Sequence, residues 1–84
     1  MHALIRRGDV NADVFAAQVI ARHRAGQSQV IADGQFGEIT ETAVRTIQAF
    51  FLGGWTLPNG SPNPAVDGIV GPKTWAILDS LANS

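Results

Sequence analysis

Asp33-Gly34-Gln35-Phe36-Gly37-Glu38-Ile39-Thr40 sets the architecture of this chain, because a matching phrase, Asp67-Gly68-Ile69-Val70-Gly71-Pro72-Lys73-Thr74, follows 34 residues later. Both phrases carry an aspartate, two glycines and a threonine at equivalent positions, with an apolar residue before the second glycine. An Asp-Gly pair is typical of a tight turn, since the carboxylate bonds nearby backbone and glycine adopts positive φ without steric cost. The repeat therefore indicates one unit used twice, a tight turn that leads into a helix.

Three helices are predicted around these two turns. The first spans about residues 12–25, between Asn11, a favourable N-cap, and Gly26, which suits the position after a helix end. The second and third follow the two repeat phrases and span about residues 38–52 and 72–82. We therefore expect an all-α fold, a single small three-helix domain that takes up all 84 residues.

The second predicted helix has a strongly apolar row. Ile39, Ala43, Ile47 and Phe51 follow one another at intervals of four residues. This spacing aligns side chains on one side of a helix. We expect the row to face the core.

The size and charge of the chain exclude several classes of protein. Its 84 residues are enough for one domain with a modest core. It contains no cysteine, so a disulfide framework and a thiolate zinc site are excluded. Charged residues make up 15% of the chain and the formal net charge is −1, which argues against a nucleic-acid-binding surface. No apolar stretch is long enough to span a membrane, and the amino terminus lacks the apolar run of a signal peptide.

A long connection, residues 53–66, joins the second and third predicted helices. Its three prolines and three glycines prevent it from continuing a helix. Connections of this length inside a compact domain are uncommon and are often functional or mobile. Asn59-Gly60 indicates a tight turn or hairpin within it, and Trp55 lies outside any apolar periodicity.

Further short phrases occur in order around the repeat: Arg7-Gly8-Asp9, Val14-x-x-Ala17-Gln18, Ala43-Val44-x-x-Ile47-Gln48 and Thr74-Trp75-x-x-Leu78. With the two Asp-Gly phrases, they make the chain resemble the peptidoglycan-binding domain family from about Leu4 to Leu81. The resemblance implies a non-catalytic three-helix module that targets bacterial or phage cell-wall hydrolases to murein. The implied partners are peptidoglycan, through its glycan or its peptide stem, and an attached or separate hydrolase, with action at the cell wall and no cofactor.

The chain departs from the family pattern at three places. Ala17 and Ala21 occupy positions where the family usually carries leucine, and Ile47 stands where phenylalanine is preferred. The connection between Gln48 and Asp67 is longer than usual, so its residues have no counterpart in the family pattern. The alternative that the chain is a protein–protein interaction module of a phage or secretion assembly therefore stays open.

The predicted peptidoglycan-binding surface is a shallow groove formed by Gln35, Phe36 and Thr40, to which Trp55 and Asn59 of the long connection add. An exposed tryptophan can stack on the C–H face of a sugar, and side-chain amides can pair with those of a peptide stem. For Trp55, a second interpretation is a cover over the edge of the core. Both interpretations remain open at this stage.

The most regular residues of the repeat are interpreted as structural. The Asp-Gly phrases supply only two of the ligands of an EF-hand loop, so turn formation is favoured over metal binding. Gln18 and Gln48 each follow the same short pattern, a valine, two further residues and an apolar residue. For both glutamines, holding a loop is favoured over contact with a ligand. No catalytic residues are indicated. The predicted structural turn residues are Asp33, Gly34, Gly37, Asp67, Gly68 and Gly71.

Overall fold

The computed structural model describes residues 2–83 and contains three helices, α1 (Ala12–Arg24), α2 (Glu38–Phe51) and α3 (Pro72–Ala82). Within these residues there is no strand, only isolated β-bridges. The predicted all-α three-helix fold is confirmed, and each helix begins at its predicted residue. Met1 and Ser84, the ends of the predicted domain, lie outside the described residues. None of the helices in the described part of the chain is long and apolar enough to cross a membrane.

The helix starts differ in the way they are capped. Asn11 Oδ1 accepts a hydrogen bond from the backbone N–H of Val14 at 3.0 Å, which satisfies one free donor of the first turn of α1. Helices α2 and α3 instead start after the second glycine of each phrase, Gly37 and Gly71, which have extended backbone and no capping side chain. Pro72 is the first residue of α3, where its missing N–H costs no hydrogen bond.

The core lies where α1 meets α2 and α3, and it includes residues from both repeat phrases. Ala17 and Ala21 of α1 are buried, and the partly buried Ile20 packs against the core beside them. Phe15 is 49% exposed, so it does not supply the volume that the two alanines lack. The largest fully buried apolar side chains are Phe36, Ile5, Leu78, Val14, Val30 and Val70.

The amino-terminal segment is tied to both phrases, which the sequence did not predict. Ile5 is fully buried and forms an antiparallel pair with Val70, with N–H···O distances of 3.2 and 2.8 Å. A few residues on, the N–H of Phe36 donates to the carbonyl of Asp9, and the N–H of Gly8 donates to the carbonyl of Phe36, both at 2.9 Å. Since Phe36 and Val70 are equivalent positions of the repeat, the segment joins the two units.

The buried face of α2 differs from the predicted row. Ile39 and Phe51, its two ends, are 52% and 45% exposed. Two polar side chains, Thr40 and Gln48, are buried instead. The Thr40 hydroxyl accepts from the Gln18 amide of α1, and the Gln48 amide donates to Asp67 of the second turn. Apolar spacing alone therefore misplaced the ends of the buried face. The buried residues of α2 are Thr40, Ala43, Val44, Ile47, Gln48 and Ala49.

The long connection contains a small hairpin that is anchored to the end of α2. Thr56 and Pro62 form an isolated antiparallel bridge around the predicted Asn59-Gly60 turn. Asn63 is 7% exposed, and its Nδ2 donates to the carbonyl oxygens of Leu52 and Gly54 at 3.0 and 2.8 Å. Because these carbonyls follow the last turn of α2, the buried amide holds the connection against the helix end.

Candidate functional site

Gln18, on the buried face of α1, holds the first Asp-Gly turn. Its Oε1 accepts hydrogen bonds from the backbone N–H groups of Asp33 and Gly34 at 3.1 and 2.8 Å. Its Nε2 donates to Asp33 Oδ1, the carbonyl oxygen of Gln35 and Thr40 Oγ1 at 3.1, 2.9 and 3.0 Å. Since Gln18 is only 1% exposed, these contacts replace water, and we call them the first clamp.

Gln48, on the buried face of α2, holds the second turn through the same set of contacts. Its Oε1 accepts from the N–H groups of Asp67 and Gly68 at 3.1 and 2.9 Å. Its Nε2 donates to Asp67 Oδ1, the carbonyl oxygen of Ile69 and Thr74 Oγ1 at 2.9, 3.0 and 3.0 Å. This second clamp confirms the prediction that both glutamines hold loops.

The aspartate of each phrase closes its own turn. Asp33 Oδ1 accepts from the N–H of Gln35 at 2.9 Å, and Asp67 Oδ1 accepts from the N–H of Ile69 at 2.9 Å. At the first turn, the hydrogen bond from the Gln35 N–H and that from the Gln18 amide lower the pKa of the Asp33 carboxyl below its usual value. The glycine that follows each aspartate has positive φ, 79° in the first turn and 75° in the second.

A shallow groove of about 340 Å³ lies against the first turn and the start of α2, and we call it the first groove. Two of its side chains, Ile31 and Ile39, are apolar yet 64% and 52% exposed. Gln35 is exposed beside them, and Glu38 adds an exposed carboxylate. The lining residues are Ile31, Asp33, Gln35, Gly37, Glu38, Ile39 and Thr40.

A second groove, of about 370 Å³, lies against the second turn and the start of α3. Each residue that lines the first groove has its repeat equivalent, 34 positions later, in the lining of the second. Leu4, Gln48 and Leu52 complete the second groove. The remaining lining residues are Ala65, Asp67, Ile69, Gly71, Pro72, Lys73 and Thr74.

The five predicted binding residues fall into three environments. Gln35 and Thr40 line the first groove together, although Thr40 is 6% exposed and its hydroxyl accepts from Gln18. Phe36 is 2% exposed and belongs to the core, so a ligand at the surface cannot reach its ring. Its inclusion in the binding surface was wrong, because side chains of neighbouring residues in the extended part of the turn point to opposite sides.

Trp55 and Asn59 lie on the long connection and do not line the first groove. Trp55 is 54% exposed, and its carbonyl oxygen accepts from the N–H of Asn63. Asn59 is exposed, and its Oδ1 accepts from the N–H of Ser61 at 3.0 Å. Leu52, directly before the connection, and Ala65, near its end, both line the second groove.

Two contributors to the first groove were missed by the sequence reasoning. Ile31 was not singled out from the sequence, and Ile39 was assigned to the buried row of α2. The available signal was the repeat itself, because Ile39 is equivalent to the polar Lys73, and a position that accepts lysine is usually exposed.

The two grooves offer apolar surface together with amide, carboxylate and ammonium groups. Such groups suit the binding of a polar ligand with apolar faces. In the part of the chain that the structure describes, no group of three or more His, Cys, Asp or Glu side chains could hold a metal ion.

Comparison with known proteins gives one informative similarity. No protein-family model matches the chain, and no curated protein matches it significantly. The crystal structure of the SleB N-terminal domain matches it with a TM-score of 0.73 and 31% sequence identity, over 95% of this chain and 93% of that one. Identity and coverage at this level indicate shared ancestry as well as a shared fold. The chain therefore belongs to the same family as the SleB N-terminal domain.

Proposed function

We propose that this domain binds bacterial peptidoglycan without catalysing a reaction on it, and that it targets an attached or partner cell-wall hydrolase to the wall. The observation that carries the proposal is the first groove, where exposed apolar and amide side chains lie on a rigidly held turn. The sequence motifs of the peptidoglycan-binding domain family, and the relationship to the SleB N-terminal domain, support the same function.

The groups in the first groove match the chemistry of murein. Exposed Ile31 and Ile39 supply apolar surface for the C–H face of a sugar or the side chain of a stem residue. The Gln35 side chain is exposed and offers two N–H donors and one acceptor to amide or hydroxyl groups. Asp33 and Glu38 add carboxylates that accept hydrogen bonds from hydroxyl or amine groups.

The first clamp keeps this groove in one shape before a ligand arrives. Because the backbone from Asp33 to Gln35 is bound to a buried side chain, little conformational entropy is lost when a ligand is held. A single shallow groove still gives weak affinity. The domain therefore works by raising the local concentration of a linked hydrolase at its substrate.

Trp55 and Asn59 are proposed as a separate contact on the long connection. Trp55 exposes 54% of its surface, enough for one ring face to receive a sugar. The connection is held at its base by Asn63, so Trp55 stays close to the end of α2.

Co-sedimentation with purified sacculi tests the proposal. We expect wild-type protein to pellet with sacculi and to be released by soluble muropeptides, without any turnover of the material. Ile39→Asp and Gln35→Ala should reduce the pelleted fraction, since both residues line the first groove. Phe50→Ala is the matched control, because Phe50 is 81% exposed on the same helix and lies outside both grooves.

A protein–protein interaction module is the second candidate, and an exposed aromatic pair favours it. Phe50 and Phe51 are 81% and 45% exposed, and their rings pack edge to face with 4.9 Å between centroids. Exposed aromatic clusters are typical of protein interfaces. If wild-type protein does not pellet with sacculi, peptidoglycan binding is wrong and this surface becomes the favoured site of function.

A further inference from the structure

The second groove repeats the backbone of the first with different side chains. The clamp, the Asx-type hydrogen bond and the glycine of positive φ are the same in both turns. Gly71, like Gly37, leaves open space where a Cβ would be, so neither groove is closed at that point. The second turn therefore presents a surface that is as rigid as the first.

The two grooves differ in charge at two equivalent positions. Lys73 occupies the position of Ile39, and Pro72 occupies that of Glu38. The first groove therefore carries two carboxylates and no cation, whereas the second carries one carboxylate and one ammonium group. The formal charge of the lining residues therefore changes from −2 in the first groove to 0 in the second, which removes the excess of carboxylates and adds one group that can bind an anion.

Both charged side chains of the second groove, Asp67 and Lys73, are exposed. Asp67 Oδ1 already accepts from the Gln48 amide and from the N–H of Ile69, both at 2.9 Å. Lys73 is exposed, and within residues 2–83 it forms no ion pair. Lys73 is therefore a cation that a ligand can reach, and it lies in a groove that also keeps the carboxylate of Asp67.

We infer that the second groove is a second ligand site, in which Lys73 binds a carboxylate of the peptide stem, an inference that rests on the proposed binding of peptidoglycan. Leu4, which is 58% exposed, and Leu52 add apolar surface beside the ammonium group. A peptide stem combines carboxylates with small apolar side chains, and this combination matches the groove. A glycan chain of neutral sugars offers no partner for the lysine.

Two sites that prefer different chemical groups would let the domain hold one polymer at two points. The first groove takes neutral or amine-bearing parts of the ligand, and the second takes a carboxylate. When both are occupied by one polymer, the second contact is intramolecular and the combined affinity exceeds that of either groove.

Heteronuclear NMR titration of the 15N-labelled chain separates the two sites. The probes are a disaccharide–peptide muropeptide released from sacculi by muramidase, the same muropeptide with its carboxylates methyl-esterified, and sodium acetate as a generic anion. Amides from Gly34 to Thr40 report on the first groove, and amides from Gly68 to Thr74 report on the second. Lys73→Gln removes the charge and Lys73→Arg keeps it, while Arg6→Gln is the control for net charge, because Arg6 lines neither groove.

We expect the free muropeptide to shift both sets of amides and the esterified one to shift only the first set. Lys73→Gln should raise the Kd reported by the second set about fivefold, whereas Lys73→Arg and Arg6→Gln leave it within about twofold. Shifts confined to the first set overturn the inference and leave the proposed function standing. If neither set of amides shifts, both the inference and the proposed function are wrong. Shifts of the second set that the esterified probe or acetate reproduces at the same concentration overturn the assignment of a stem carboxylate.

Discussion

Replacing Gln48 by leucine removes the second clamp and keeps a side chain of similar size. Five groups lose their partner: two backbone N–H donors, a carbonyl, a carboxylate oxygen and a hydroxyl. Asp67 is exposed and Ile69 is half-buried, so their groups can turn to water. Gly68 is buried and Thr74 is only 4% exposed, so the N–H of one and the hydroxyl of the other stay without a partner.

The expected loss of stability comes from these two buried groups that have no hydrogen-bond partner. Each buried polar group without a partner costs about 1 to 3 kcal/mol, so the substitution should cost about 2 to 6 kcal/mol. A domain of this length has a free energy of unfolding of about 4 to 13 kcal/mol. The loss is therefore a large fraction of the total. Gln18→Leu should cost less, about 1 to 3 kcal/mol, because Gly34 is half-buried and only the hydroxyl of Thr40, which is 6% exposed, stays buried without a partner.

Urea unfolding followed by tryptophan fluorescence measures this effect. Trp75 is 4% exposed and reports on the core, whereas Trp55 is half exposed already. Gln29→Leu is the control, because Gln29 is exposed and its amide donates to the side chain of Gln27. It should change the free energy of unfolding by less than about 0.5 kcal/mol. A Gln48→Leu protein that is as stable as the Gln29→Leu control would refute the clamp as a determinant of stability.

Three further predictions concern the turns and the long connection. Gly34→Ala should lower the free energy of unfolding by about 1 to 2 kcal/mol, because Gly34 has positive φ. Gly68→Ala should lower it more, since the added Cβ would also lie 2.9 Å from Glu41 Cγ. Equal urea midpoints for the two variants would contradict this prediction. The lowered pKa of Asp33 contributes stability that is present above the ordinary aspartate pKa of about 3.9 and is lost as the pH falls through the folded-state pKa. In acid, the wild type should therefore lose more stability than the Asp33→Asn variant. Parallel stability profiles of the two proteins against pH would contradict this prediction. Trp55→Ala should weaken retention on sacculi with an unchanged melting temperature, whereas a lowered melting temperature supports its role as a cover over the core.

The helices and turns could be predicted from the sequence because their signals are local. Asn11 as a cap, Pro72 at a first helical position and the Asp-Gly pairs each act within a few residues. The pairing of Ile5 with Val70 could not be predicted, because it joins positions far apart in the chain and has no turn or periodicity to mark it.

The candidate site was harder to predict than the fold, for a physical reason. Hydrophobic spacing assigns a buried face to apolar residues, but in α2 Gln48 and Thr40 are buried while Ile39 is exposed. Polar burial of this kind depends on partners in other elements, here the turn that Gln48 holds. The exposed Ile39, together with Ile31, gives the first groove its apolar surface.

Comparison of the two repeat phrases separates the residues that make the fold from those that would choose a ligand. The four identical positions, occupied by Asp33, Gly34, Gly37 and Thr40 in the first phrase, form the turn, accept from the clamp or start the helix. At the positions that differ and line the grooves, such as those of Ile39 and Lys73, the clamp uses no side chain; it reaches only the backbone carbonyl oxygens of Gln35 and Ile69. A substitution at these positions can therefore change what a groove binds without changing the turn that supports it. Two copies of one rigid turn are a means of presenting two different surfaces on a domain too small to carry two separate cores.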